Sequence, residues 1–422
     1  MAKVAGRFAR VEPRRRARAF VLGLLADLPR KNCWTIAEHA GDASPAGMQH
    51  LLSRASWDAD QVRDDIRYFV VGHLREDDAV LVVDETGDLK KGAHSVGVQR
   101  QYTGTAGRIE NSQVAVYLAY ATTVGHAAID RRLYIPRSWA QDVERCRAAR
   151  IPDDLEFATK PALAAQMIAQ ALDAGVPAGW VAGDEVYGGD PHLSAQLERR
   201  QIGYVLAVSR KRPVPTRAGV FRAGNLAHGL PKHAWQRLSA GPGAKGHRFY
   251  DWAQVEIHTP KCPGHRWLLI RHNRRSGELA FYRCYSARLV PLATLVKVAG
   301  RRWAVEETFQ AAKGLAGLDE HQVRRWTSWH RWTTLAMLAH AFLAIAAAIE
   351  RTVSTSSSEL VPLTCSEIRR LFTTLLPRPA VDLAHHLRWS TWRRHHQARS
   401  RTSHYQRQAA TSHEDHDLQL EY

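Results

Sequence analysis

Cysteine is scarce and unpatterned. The five cysteines, Cys33, Cys146, Cys262, Cys284 and Cys365, form no CxxC and no disulfide-like spacing, which excludes a disulfide-stapled scaffold and fits a reducing interior. The KCPGH run holding Cys262 and His265 lacks a second ligand pair at zinc-binding spacing, so it is read as ordinary loop. No apolar run reaches bilayer length. The longest, LAMLAHAFLAIAAAI from Leu335 to Ile349, contains His340 and is expected to be a buried helix rather than a membrane span. The arginines at Arg7, Arg10 and Arg14 to Arg16 precede no leader-like apolar stretch, so no export is expected and the chain should work in the cytoplasm. Acidic residues are also in deficit, 41 against 59 lysines and arginines, for a net charge of +18 that comes mostly from arginine. Such a field steers a polyanion toward the protein, and forked guanidinium donors match phosphate oxygens. A basic compositional bias is the bland alternative.

The 422 residues suggest two or three folding units, one interrupted by another. Residues 1–76 show helical spacing, and TIAEHAGDASPAGMQHLLSRA resembles two short helices joined by a turn, a candidate DNA-groove reader. From 77 to 210 the texture changes. The run AVLVVDETG reads as a buried strand ending at Asp84, NSQVAVYLAYAT and HAAIDRRLYIP extend it into an antiparallel meander, and helix, strand GWVAGD, helix and strand GYVLAVS then alternate as in a parallel sheet. Residues 211–290 read as a β-rich insertion. In 291–350 one helix is expected from Leu292 through Leu318 and an apolar one from His330 to Ile349. A Ser/Thr-rich linker, TVSTSSSE, and further helices fill 351–422, with a basic tail from Trp389 expected to be partly disordered. The fold class is thus α/β: a mixed sheet flanked by helices, interrupted by the insertion, with helical N- and C-terminal regions.

Asp84 and Asp184 both close hydrophobic strands, and strand ends of one sheet lie side by side along a rim. Taken singly, either could equally be a helix cap or an ion-pair partner. In RRWAVEETFQAAKG, helical phase at about 100° per residue puts Val305, Phe309, Ala312 and Ala316 on an apolar stripe, with Arg302, Glu306 and Lys313 at its edge and Glu307 turned toward solvent. Glu306 is therefore the third acid, although Arg302, Glu306 and Lys313 could also form a surface ion-pair ladder. Three carboxylates suit two Mg²⁺ ions, with Mn²⁺ as substitute, and hence phosphodiester chemistry. Lys90, Lys91, Arg100 and Arg108 are candidate phosphate contacts, with a solvated basic face as the equal alternative. Gly87, Tyr187 and Gly188 are expected to shape the two acidic turns. Trp267 is expected to pack a core, whereas Trp235 and Trp252 in the insertion could reach DNA.

The pieces VVDETGDLKKG, GDEVYGGD and RRWAVEETFQAAKGLAGLDEHQVRRW, in this order and followed by the apolar helix, resemble the DDE-type insertion-sequence transposases. The resemblance spans most of the chain and implies an RNase H-like core with a β-rich insertion before the last acid. It implies that Asp84, Asp184 and Glu306 are the catalytic, metal-holding trio, and that Arg302 and Lys313 are the basic members of a Tyr, Arg, Glu, Lys signature, contacting DNA near the cut. The signature tyrosine would fall at position 299, which carries Ala299. The implied activity is metal-dependent cleavage at the terminal inverted repeats of an element and joining to target DNA, by a homodimer pairing two ends at the nucleoid. A nuclease or junction resolvase that cuts without joining, a catalytically inactive DNA-binding repressor and an RNA-binding protein are the competing expectations.

Overall fold

The computed structural model describes residues 1–243, 246–260, 262–353, 361–375 and 382–420. Most of the Ser/Thr-rich linker, residues 354–360, lies outside them.

Four helices open the chain: α1 (Val11–Leu25), α2 (Cys33–His39), α3 (Ala46–Ser53) and α4 (Ala59–Leu74). Asn32 starts α2 with a capping box shared with Thr35, and Asp58 caps α4 by accepting from Asp60 and Gln61 N–H groups. Then come β1 (Val80–Leu89), β2 (Gln99–Thr103), β3 (Arg108–Ala121) and β4 (His126–Leu133), the short helices α5 (Arg137–Ala140) and α6 (Val143–Ala149), and α7 (Lys160–Asp173). The alternating part is β5 (Trp180–Gly183), α8 (Glu185–Gly188), α9 (Pro191–Arg199) and β6 (Gly203–Val208).

The hairpin β7 (Pro213–Thr216) and β8 (Gly219–Arg222) and helix α10 (Ala223–Gly229) precede β9 (Gln236–Gly243), β10 (Gly246–Glu256), β11 (His265–His272) and β12 (Leu279–Ser286). The chain closes with α11 (Leu292–Arg301), α12 (Trp303–Ala316), α13 (Trp326–Val353), α14 (Cys365–Leu375) and α15 (Leu383–Leu420).

Among the described residues one ten-stranded sheet runs β2-β3-β1-β5-β6-β12-β11-β10-β9, with β4 also on β3. Within it, β4, β3 and β1 are antiparallel neighbours, while β5 and β6 follow β1 in parallel. The order β4-β3-β1-β5-β6, a meander of three strands continued by two parallel ones, is the RNase H-like arrangement. The strands of 211–290 do more than interrupt it: β12 pairs antiparallel with β6, so β9 to β12 prolong the core sheet itself. Alternation along β1 sends Val80 and Val82 to one face, with Leu295, Val296 and Val305, and Leu81 and Val83 to the other, with Ile168 and helices α1, α4 and α13. Helix α12 joins the two cores, Val305 belonging to the first and Ala312 and Ala316 to the second.

Three features differ from the sequence expectation. The helix expected from Leu292 to Leu318 is broken at Arg302, which ends α11 and starts α12. Helix α13 is longer than its apolar stretch. It is long and apolar enough to cross a bilayer, but it is buried along most of its length, as a helix that is apolar all round must be in a globular core. The basic tail is helical, and its start is docked. The Trp389 indole donates to the Asp42 carbonyl at 2.8 Å, Trp392 meets Trp34 edge to face, and Arg393 pairs with Glu38.

A buried ionic network ties α4 to the sheet. Asp130 on β4 is 0% exposed and accepts from Arg63, while Arg131, 1% exposed, reaches Asp60 at 2.7 Å.

Candidate active site

Strands β1 and β5 run parallel in the register Val83 to Gly183, so the residues that follow, Asp84 and Asp184, emerge side by side at neighbouring strand positions. Asp84 remains in the ladder opposite Tyr117 of β3. Asp184 leaves β5 and caps α8, its carboxylate accepting from the Val186 N–H at 2.9 Å. Close packing fixes that turn: a Cβ on Gly188 would lie 1.8 Å from the Ala207 carbonyl oxygen, so only glycine lets α8 sit this near β6.

Helix α12 brings the third acid. The Arg302 guanidinium lies 3.2 Å from Glu306 and 3.7 Å from Asp84, linking the two carboxylates. Glu307 turns elsewhere and bonds His126 of β4 at 3.1 Å. The helical phase that separates the two glutamates is therefore realised. At the end of α12, Gly317 takes a left-handed φ of 63° and closes the helix, its carbonyl accepting from the Trp332 indole at 3.0 Å.

Electrostatics mark the acidic pair. Burial first, then the charges of Asp184 and Glu85, push the Asp84 carboxyl up to about 7. Asp184 is raised by burial and by Glu85, and Glu306 by burial against the opposing pull of Arg302. Glu307 is lowered, chiefly by its bond to His126. Raised carboxyls crowded together are short of positive charge, and a divalent cation with a preference for oxygen ligands would supply it. The donor chemistry therefore fits a hard metal ion. As the side chains stand, no three His, Cys, Asp or Glu groups among the described residues converge on one point, and Arg302 lies between Asp84 and Glu306.

The sequence reading missed a second layer of polar residues. Glu85, on the opposite face of β1 from Asp84, accepts from the Tyr187 hydroxyl at 2.5 Å and from Lys160 at 2.7 Å, tying α7 and α8 to β1. Asp88 takes His321 at 3.1 Å and Lys313 at 3.3 Å. Burial alone would raise the Asp88 carboxyl, but the His321 bond and the charges of Lys313 and Lys90 hold it down to about 2. Asp88 lies four residues beyond Asp84 and so on the same strand face, a signal the pattern contained; its partner His321 is distant in sequence.

The candidate phosphate contacts divide accordingly. Arg302 sits on the acids, Lys313 also donates to the Gly87 carbonyl at 3.2 Å, and Lys90 donates to the His321 carbonyl at 3.0 Å. Lys91 and Arg100 are exposed, and Arg108 is exposed but paired with Glu110 at 2.9 Å. Trp267 is buried as expected. Trp252 is 1% exposed and packs against Tyr282 under the sheet, which corrects its reading as a DNA contact, while Trp235 is half-buried.

Comparison with known proteins gives three findings. The family described as DDE superfamily endonuclease matches residues 3–244, over half of the chain. A protein of Microchaete diplosiphon described as a probable transposase for insertion sequence element IS701 is 30% identical over 189 residues, 44% of this chain and 47% of that relative. The match thus spans about half the length of the curated relative. A solved piggyBac transposase synaptic complex with hairpin DNA is similar at a TM-score of 0.47 and 9% identity, covering 90% of this chain and 76% of that one.

Proposed function

The chain belongs to the DDE superfamily of endonucleases, and from that membership we propose that it is the transposase of an insertion sequence, which binds the terminal inverted repeats of its element, cuts DNA at each end and joins the ends to target DNA. One observation carries this most: Asp84 and Asp184 emerge together from adjacent parallel strands, with Glu306 linked to Asp84 through Arg302. Asp84, Asp184 and Glu306 would hold two divalent ions, Mg²⁺ or Mn²⁺ in its place, whose chemistry is to activate the attacking water or 3′-hydroxyl and to stabilise the leaving oxygen.

The protein's part is positioning. The main-chain ladder between β1 and β5 sets the backbone positions from which Asp84 and Asp184 emerge, so the ordering left to the reaction is the convergence of Glu306 on them once Arg302 moves. Arg302, freed from the carboxylates, offers a planar fork to a phosphate oxygen and stabilises charge that develops there. Lys313 pairs with Asp88 and holds α12 against β1, Lys90 bonds the His321 carbonyl beyond that helix, and Lys91 and Arg100 at the surface contact the DNA backbone. Duplex DNA is the partner, and a homodimer pairs two element ends.

The test uses purified wild type and Asp184→Ala with linear DNA carrying candidate element ends, in Mg²⁺ and then in EDTA. Nicked, double-cut and joined products are resolved. Metal-dependent joined product from wild type alone is expected. Cutting without joining would point to a nuclease or resolvase, and binding without cutting by both proteins would sink the catalytic assignment.

A further inference from the structure

Helix α3 is buried along one side by Met48, Leu51 and Leu52, and its opposite side presents Ala46, Gln49 and His50 to solvent. Clefts open along both flanks of that ridge. One, of about 580 Å³, is lined by Gln49 and Ser53 of α3, by Trp34 of α2, and by Arg30, Arg324 and Arg325, with no carboxylate in its wall. The other, of about 540 Å³, is lined by His50, Arg54, Arg10 and Arg16, against one acid, Glu12. Arg16 is already paired with Asp42, whereas Arg30, Arg324, Arg325, Arg10 and Arg54 are all exposed.

We propose that α3 enters the major groove of duplex DNA, with Arg30, Arg324 and Arg325 on the phosphates of one groove wall and Arg10 and Arg54 on those of the other. This rests on the DNA-processing function proposed above and assigns the surface that holds the duplex. A helix with its side chains is about 10–12 Å across, close to the roughly 12 Å width of the major groove, and a ridge flanked by two positive walls matches a groove flanked by two phosphate backbones. Gln49 and His50 carry the hydrogen-bonding groups that base edges require, while the arginines set position.

The segment that carries two of these arginines is tied to the strand that carries Asp84. The segment bearing Arg324 and Arg325 begins at His321, which is bonded to Asp88 on β1, and the Arg324 carbonyl accepts from the Val96 N–H at 3.1 Å.

The probe is a fluorescent duplex of about 30 base pairs, titrated in EDTA at several salt concentrations against the full chain. Each phosphate contact contributes roughly 0.9 to the slope of log affinity against log salt. The triple variant Arg30→Ala, Arg324→Ala, Arg325→Ala should lower that slope by about 2 to 3 and weaken binding at least tenfold at 0.1 M salt. The corresponding lysine triple, which keeps the charge, should restore the slope. Gln49→Ala should keep the slope but change which duplexes are retained from a randomised pool.

An alanine triple with the wild-type slope, or a lysine triple as weak as the alanine one, overturns the surface while leaving the enzymatic proposal standing. An unchanged pool with Gln49→Ala removes α3 from the groove. A wild type that binds no duplex overturns both proposals.

Discussion

Arg302→Ala should tighten divalent-metal binding by the DNA-free protein. In the structure the guanidinium stands 3.2 Å from Glu306 and 3.7 Å from Asp84, so an ion held by those carboxylates has to displace it. Both pairs are partly solvated, with Arg302 26% and Glu306 38% exposed at the side chain, which puts each near the upper end of the range for exposed pairs, about 1 kcal/mol. Removing both releases about 2 kcal/mol to metal binding, or roughly thirtyfold in affinity. The assay is a Mn²⁺ titration followed by electron paramagnetic resonance at pH 8, above the range to which burial and Asp184 push the Asp84 carboxyl. The same variant should lose DNA cleavage, since the proposed contact of the guanidinium with a phosphate oxygen is then removed. Unchanged or weaker Mn²⁺ binding would refute the competition between Arg302 and metal.

Asp130→Ala should destabilise the fold by about 3 to 5 kcal/mol in urea unfolding, because it leaves the Arg63 and Arg131 guanidiniums buried without their shared carboxylate; a loss under 1 kcal/mol would contradict that. Stability should fall with acid from pH 6.5 downward. Burial pushes the His340 imidazole down to about 3, so between 3 and 6.5 the unfolded chain binds the extra proton. Its contribution is complete above 6.5 and is lost toward pH 3, at about 1.4 kcal/mol per pH unit. Burial pushes His330 down to about 3 as well, so His340→Gln should lower the slope by about 1.4 kcal/mol per pH unit rather than abolish it, and an equal slope in the variant would remove His340 as a source.

Much of the site was legible because strand periodicity and helical phase are local. AVLVVDETG and GWVAGD each end a buried strand at an acid, and phase alone separated Glu306 from Glu307, which the structure directs to Arg302 and to His126 respectively. What was not legible depends on distant partners. Nothing near Asp88 announces His321, and the pairing of Glu85 with Tyr187 and Lys160 follows only once α7 and α8 pack on β1. The break at Arg302 is signalled only by Gly300 two residues earlier, a glycine that helical phase alone reads as part of one continuous helix. The strands of 211–290 look like a separate β unit in sequence, since alternation does not say which edge a strand will join; β12 joins β6. The tail from Trp389 reads as polar and basic, and only the docking of Trp389 and Trp392 on α2 and its following turn explains why its start is ordered.

The most direct test of the central claim compares Glu306→Gln with Glu307→Gln in Mg²⁺-dependent cleavage of element-end DNA, with Mn²⁺ binding measured alongside. Glu306→Gln should abolish cleavage and weaken metal binding while the fold persists, and Glu307→Gln, which gives up only the charge in its bond to His126, should still cut. Cleavage that survives Glu306→Gln, or fails only with Glu307→Gln, would contradict the assignment of Asp84, Asp184 and Glu306 as the metal-holding trio.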